Sequence, residues 1–526
     1  MQSSVITAES GYPAMEVYPS GGVESLSMEE EEEEESLQAI PPHPSGVKPA
    51  GNQYKATSIA RNLIGSFQVF PDEILAIFLE YLDSQLLCAL GSTCKFLYAF
   101  CRSDDLWKAL FIESPICKSG NFTWRGTWRS THLNLKPEQT SHIQCDNVFS
   151  DVLYRPFLCT HTSLLPYTTS IPSRNAIPRL ANLTPSEFSS QWSCKPFILT
   201  EPVKLWPVYQ NWNTCTLLEK YGDVKFRAEA VDWTLSTYVD YMNNSTDESP
   251  LYLFDRNFFD KMCLNTTSTS TSTSSPTTNK ATITTQEPAY VTPTCFGEDL
   301  FSVLGSLRPA HQWLILGPSR SGSTYHKDPN STSAWNAVLK GSKYWIMFPS
   351  ITQPPGVFVS ADDSEVTSPL SIAEWLLEFH AEARKTPGCI EGICFAGEIL
   401  HVPSGWWHLV VNIETSLALT QNFVPSGHLK EVLSFMRDKR DQVSGFAKEV
   451  EDSYELFLEG LRREYPDLLE VALRELELET ERKKEGRKRK WDAVVAGKGG
   501  EGNTEAESGK GGFSFGFGDD SDVEVP

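Results

Sequence analysis

The stretch STYHKDPNSTSAWNAVLKGSKYWIMFPS, Ser323 to Ser350, sets a histidine and an aspartate two residues apart and follows them with a long apolar and aromatic run. In a β-strand, residues two apart project from the same face, so His326 and Asp328 turn one way and Lys327 the other. Trp335, Val338, Leu339, Tyr344, Trp345, Ile346, Met347 and Phe348 then read as the filling of a barrel. Neutral imidazole and carboxylate are ligands that suit Fe(II), and a face of two histidines and one carboxylate leaves coordination positions open. The second histidine has to come from a distant strand. His401 and His408, on either side of the turn PSGWW, are the candidates. An isolated His-x-Asp more often marks a satisfied core histidine or a surface pair; it gains weight here from its surroundings.

Those surroundings repeat one pattern. HQWLILGP (from His311), SKYWIMFP (from Ser342), GEILHVP (from Gly397), WHLVVN (from Trp407) and LALTQNFV (from Leu417) are short apolar segments separated by Gly, Pro, Ser and Asn. This punctuation predicts an all-β barrel or jelly-roll. Upstream, YGDVKFRAEA (from Tyr221) and SPLYLFD (from Ser249) read as strands and TLSTYVDYMNN (from Thr234) as a helix. The Thr/Ser tract over 265–285 has nothing to bury and reads as a disordered insertion looped out of the domain. Beyond Ser426, apolar residues at helical spacing predict helices over 425–485, broken at Pro466, and a disordered Gly-rich acidic tail over 486–526.

N-terminal to the barrel, residues 1–62 mix Ser, Gly, Pro and Glu, with an acidic run from Glu29 to Glu35, and are expected to be disordered. From Phe70 the spacing predicts three or four short amphipathic helices: Pro71, Asp72 and Glu73 suit a first turn, and Ile74, Leu75, Phe78 and Leu82 share a face. The text FPDEILAIFLEYLDSQLLCALGSTCKFLYAFCRSDDLWKALF resembles the F-box, and 63–113 is assigned to it. That resemblance implies docking on the adaptor subunit of a cullin-type ubiquitin ligase; a helical cap on the larger domain is the structural alternative. Residues 114–204 read as an irregular connection.

The chain of 526 residues has room for several domains, and 40% hydrophobic content is enough for a large core. A net charge of −23 argues against a surface that coats nucleic acid. Twelve cysteines without a CxxC pair read as thiols of a reducing compartment. With no basic-then-apolar start and no long apolar run, the sequence reads as a soluble intracellular protein without a membrane segment. The basic cluster KKEGRKRK, from Lys483, is a nuclear-import candidate, and a nuclear or partly cytoplasmic location is expected.

GPSRSGSTYHKDPNSTSAWNAVLKGSKYWIMFP, then HVPSGWWHLVVNIETSLALTQNF, with TDESPLYLFD upstream, closely resembles the Jumonji-C family of 2-oxoglutarate oxygenases. The nearest branch is the phosphatidylserine-receptor-like one, of lysyl hydroxylases and proposed arginine demethylases. The resemblance implies an α+β chain: a double-stranded β-helix (jelly-roll, cupin-like) over 205–424, flanked by the F-box and the C-terminal helices. It implies His326, Asp328 and His408 as iron ligands, Lys343 as the cation for the distal carboxylate of 2-oxoglutarate, and Asn336, Thr420, Ser323, Tyr252 and Asn422 as further contacts. His401 stands where the branch usually has an apolar residue and is read as a strand-end histidine. The implied cofactors are Fe(II), 2-oxoglutarate and O₂. The implied substrate is a protein, a histone or another nuclear protein, hydroxylated on lysine or demethylated on nitrogen. The rival reading is a non-catalytic substrate receptor of a cullin-type ligase.

Overall fold

The computed structural model describes residues 40–120, 122–140, 142–264, 288–369 and 371–495. Among the described residues, fifteen strands run along the chain. β1 (Arg179–Leu180), β2 (Phe197–Leu199), β3 (Lys225–Ala228), β4 (Val231–Thr234) and β5 (Leu253–Asp255) precede β6 (Gln312–Gly317), β7 (Gly322–His326), β8 (Ser333–Lys340) and β9 (Ser342–Phe348). The hairpin β10 (Phe358–Val359) and β11 (Val366–Thr367) leads to β12 (Ile390–Phe395), β13 (Ile399–Val402), β14 (Trp407–Asn412) and β15 (Ser416–Phe423). Nine strands form one sheet in the order β1-β2-β13-β8-β15-β6-β5-β3-β4, and four form a second in the order β12-β9-β14-β7.

The two sheets face each other. Val338, Leu400 and Val402 of the large sheet share one buried cluster with Trp345, Met347, Cys394 and Val410 of the small one. This is the expected cupin-like jelly-roll, a sandwich whose strands alternate between the sheets. The link from β8 to β9 depends on Gly341, at φ +76°, where a Cβ would lie 2.3 Å from the carbonyl oxygen of Thr415. Only glycine takes that turn so close to a neighbouring backbone.

The F-box segment forms α1 (Asp72–Glu80), α2 (Ser84–Gly91), α3 (Lys95–Phe100) and α4 (Asp104–Glu113). Asp83 caps α2 by accepting from the amide of Leu86. These helices do not stand apart: Trp107 and Phe111 of α4 belong to the same hydrophobic cluster as Trp128 and Trp233, and Trp233 lies on β4. Lys108 donates to the carbonyl of Ser249, and the Asp247 carboxylate accepts from Trp128 Nε1 and Tyr241 Oη. Trp107 and Leu75 are fully buried, so they hold the module together and are not surface contacts.

Three boundaries differ from the sequence reading. Residues 42–62, within the stretch expected to be disordered, pack on the body: Val47 and Ala60 are buried, and Lys48 pairs with Phe149. Short apolar anchors in polar text order it through tertiary contact, which composition does not register. The connection 114–204 contains the helix Asp151–His161 and the strand β2, which pairs with β13. After β15 come α5 (Leu429–Asp438), α6 (Ser453–Glu464) and α7 (Pro466–Val495); α7 runs past the expected start of the tail at 486. Pro466 opens α7, where its missing amide proton costs nothing. The expected disorder over 1–39, in the Thr/Ser tract and in 496–526 lies outside the described residues. All twelve cysteines are free thiols. Among the described residues, no helix is long and apolar enough to cross a membrane.

Candidate metal and cosubstrate site

A cavity of about 690 Å³ opens between the sheets, and His326, Asp328 and His408 line it together. Pairing of β7 with β14 puts His326 directly opposite His408, their ring centroids 4.1 Å apart. β7 ends at His326, and Asp328 follows in extended conformation (φ −61°, ψ 144°), so the two still face the same way. One ligand atom from each of the three lies within 4.8 Å of the others.

Each histidine spends one nitrogen on the backbone. Nδ1 of His326 lies 2.8 Å from the carbonyl of Thr324 and Nδ1 of His408 3.1 Å from that of Trp406. A proton on each Nδ1 satisfies those carbonyls and leaves both Nε2 lone pairs free, the tautomer that backbone carbonyls select in metal-binding histidines. Burial lowers both imidazoles to about 4, so they are neutral near pH 7. Burial raises the Asp328 carboxyl to about 6, opposed by His326 and by the Asn422 amide, which donates to Oδ1 over 3.3 Å. Its other oxygen, Oδ2, is buried without a partner. A buried carboxylate oxygen left unpaired costs free energy unless something binds it. Two free imidazole nitrogens and that oxygen make a donor set that fits Fe(II).

Lys343 is fully buried, and its ammonium donates to Tyr252 Oη (2.6 Å) and Asn412 Oδ1 (2.9 Å). Both partners are neutral, and burial pushes the ammonium down to about 7. An ammonium held by dipoles alone is a receptor for a carboxylate. Tyr252, Ser323, Asn336 and Thr420 line the same cavity. Asn336 pairs with Thr420 across β8 and β15, and its Oδ1 is buried and unpaired. Thr420 donates its hydroxyl to the carbonyl of Trp335.

Several sequence assignments change. Asn422, read as a cosubstrate contact, directs its amide at Asp328 Oδ1 and Thr332 Oγ1 and so orients a ligand. His401, in contrast, is the strand-end histidine it was read as and not a ligand: it sits on the opposite face of β13 from Leu400, with its ring nitrogens 3.2 and 3.1 Å from the carbonyls of Ala334 and Ser193. Lys327 leaves the iron side as expected but folds back over the Trp407 ring (4.5 Å) and lines the cavity mouth. Trp345, read as barrel filling, also faces the cavity, as do Trp407 and Trp313, the last stacked 5.3 Å from Phe254. Lys439 of the C-terminal unit reaches across the mouth to Asp363 beside β11 (3.0 Å).

Sequence reasoning missed Asn412. It lies opposite Lys343 in the β9–β14 register, four residues after His408 and on the same face, and that spacing was its only signal. Its amide donates to Ser321 Oγ (2.9 Å). Gly317 makes room for this cluster: a Cβ there would lie 2.3 Å from Ser321 Oγ, 2.7 Å from Tyr252 Cδ2 and 3.0 Å from Asn412 Nδ2. Gly317→Ala is therefore expected to displace Tyr252 and Asn412 and weaken 2-oxoglutarate binding by about tenfold or more, at a cost typical of overpacking. Iron affinity should not change. Calorimetric titration of both ligands checks this, and an equal loss of the two would point to general misfolding instead.

Comparison with known proteins follows the same lines. A sequence profile for the cupin-like domain matches residues 186–428, and one for the F-box-like domain matches residues 67–113. Over 473 residues, 87% of this chain and 88% of the relative, the sequence is 34% identical to the arginine-specific demethylase JMJ22 of Arabidopsis thaliana. It is 32% identical over 268 residues, 48% of this chain and 62% of the relative, to the bifunctional arginine demethylase and lysyl-hydroxylase psr-1 of Caenorhabditis elegans. A shorter match, 28% over 148 residues, 27% of this chain and 32% of the relative, is to the 2-oxoglutarate and iron-dependent oxygenase JMJD4 of Danio rerio.

Proposed function

Because this chain belongs to the Jumonji-C family of cupin-like oxygenases and carries an F-box-like module, we propose that it is an Fe(II)- and 2-oxoglutarate-dependent dioxygenase of protein side chains, with N-methylarginine as its first substrate class. One observation carries this reading. One cavity is lined by Asp328 with its unpaired oxygen, by two histidines with a free nitrogen each, and by Tyr252, whose hydroxyl accepts from the buried Lys343 ammonium, itself lacking an anionic partner. The likeness to JMJ22 along nearly the whole of both chains supports arginine as the first class to test.

When bound, iron and 2-oxoglutarate supply the oxidising power: O₂ is consumed, 2-oxoglutarate is decarboxylated to succinate, and one oxygen atom enters a substrate C–H bond. The protein supplies placement. His326, Asp328 and His408 would hold the metal, and Asn422 fixes the Asp328 carboxylate. Lys343, steadied by Tyr252 and Asn412, would hold the distal carboxylate of 2-oxoglutarate. Ile315, Trp345 and Val410 give the cavity apolar walls that exclude water. A hydroxylated N-methyl group collapses with loss of formaldehyde, whereas a hydroxylated carbon persists. Peptides carrying methylarginine, methyllysine or unmodified lysine, assayed for succinate and by mass spectrometry, test the assignment. Loss of a methyl group from arginine is the expected result; oxygen gain on lysine would overturn the arginine reading.

The F-box helices turn Ile77 and Phe78 of α1 and its C-cap Tyr81 to solvent, with Ile74 and Leu86 also exposed, while Leu75, Leu79 and Leu87 face the core. Such an exposed apolar patch marks a docking surface, and its proposed partner is the adaptor of a cullin-type ligase. Replacing Ile77 and Phe78 together by Asp is expected to abolish capture of that adaptor in a pull-down without lowering thermal stability, since both are exposed. Undiminished capture would place the contact elsewhere. A nuclear site of action is proposed from the Lys483–Lys490 cluster, and a cytoplasmic fluorescent fusion would contradict it.

A further inference from the structure

Away from the iron site, an exposed thiol meets a buried imidazole. Cys194 Sγ lies 3.3 Å from Nε2 of His428, and Nδ1 of that ring lies 2.7 Å from Oγ of Ser333, the first residue of β8. Cys194 is exposed, whereas His428 and Ser333 are buried. The three come from separate parts of the chain: a loop before β2, the turn after β15, and β8. The fold brings them together, since nothing in their sequence spacing does.

The arrangement favours reaction at sulfur. With the Nδ1 proton directed at Ser333 Oγ, the Nε2 lone pair faces Sγ and can take its proton; burial lowers the basicity of His428 and so keeps the ring neutral for that role. His428 is also the N-cap residue of α5, which fixes its backbone at the start of a ten-residue helix. Beside the pair is a cavity of about 470 Å³, separate from the oxygenase site, whose walls include Ser193 and Gly427, the chain neighbours of Cys194 and His428. Cys194 itself is open to solvent, so reagents reach it from outside.

We propose that Cys194 and His428, oriented by Ser333, form a nucleophilic pair that is a thiol-modification site, with hydrogen peroxide as its oxidant class. Nε2 takes the thiol proton and the sulfur attacks one peroxide oxygen. The O–O bond breaks, sulfenic acid forms with two-electron oxidation of sulfur, and the departing hydroxide recovers the proton from His428 as water. Cys215, exposed on the helix Thr214–Tyr221, is an internal control in the same molecule.

The test measures alkylation of the intact full-length protein by iodoacetamide, resolved by peptide mass mapping, and sulfenic acid trapping by dimedone after dilute hydrogen peroxide. Cys194 is expected to react about tenfold or more faster than Cys215, as a base-assisted thiol does relative to a free one. His428→Asn should bring Cys194 down to the rate of Cys215 and leave Cys215 unchanged, and dimedone should label Cys194 only with His428 present. Ser333→Ala, a gentler change, should slow Cys194 severalfold, which decides the matter if His428→Asn does not fold. Equal rates for Cys194 and Cys215 in the wild type, or a fast Cys194 in either variant, would overturn the proposal.

Discussion

Asp328→Ala is expected to yield a folded protein that no longer retains iron. The carboxylate contributes nothing to ligand-free stability that the variant would forfeit: its Oδ2 is buried without a partner and its Oδ1 accepts a single 3.3 Å contact from Asn422. Removing a poorly satisfied buried carboxylate is neutral or stabilising, whereas cutting a well-made network is not. The metal, in contrast, loses one of three protein ligands. Loss of a mere supporting partner costs about 10–100-fold in metal affinity, so loss of the carboxylate itself should exceed ~100-fold. Thermal melts with and without Fe(II) under argon separate the two effects: the wild type melts higher with metal, and the variant melts at one temperature in both conditions. An iron-induced rise that survives in Asp328→Ala would show that the ion sits elsewhere, and with it the cosubstrate reading would fall. Asn422→Ala should give an intermediate result, because it leaves the ligand in place but frees it to turn.

The contrast between Asp328 and Asn412 explains what was legible before the structure. The ligand types are chemically scarce, and a period of two on extended backbone places His326 and Asp328 on one face by geometry alone. Spacing left both His401 and His408 open and the family resemblance implied His408; the strand register supplies the physical reason: β14 lies against β7, while β13 runs in the other sheet and presents Leu400 to the interior. Asn412 owes its role to the same kind of fact, a position opposite Lys343 across β9 and β14 that its spacing from His408 does not by itself specify. Thr420 and Asn422 share a face of β15, so both could be placed at the site, but how far along the cavity each reaches depends on the strand's tilt and neighbours. The F-box helices were readable from apolar periodicity. Their packing on the barrel entered only as the alternative of a helical cap, because the shared core is built from Trp107, Trp128 and Trp233, aromatic residues spread across three segments.

Lys343→Met is expected to cut 2-oxoglutarate affinity on the order of 10²–10³-fold while leaving iron binding intact, as the loss of one partner from a buried ion pair costs about 3–5 kcal/mol. Methionine nearly fills the space, so the loss reports charge and not a cavity. The ligand-free protein should behave in the opposite sense. Burial pushes the Lys343 ammonium down to about 7, far below its value in an unfolded chain, so between pH 7 and about 10 the unfolded state binds more protons than the folded one. The contribution of this group to stability therefore rises with pH over that window, and Lys343→Met should remove that rise. Binding of 2-oxoglutarate reverses the preference, because its carboxylate favours the charged lysine. Above pH 7 the wild type should then take up a proton on binding, and its affinity should fall as pH rises, as calorimetry in buffers of different ionisation enthalpy would show. A pH-independent affinity from 7 to 9, with no proton uptake, would mean that Lys343 keeps its charge in the empty site and that Tyr252 and Asn412 solvate it far better than two neutral dipoles can.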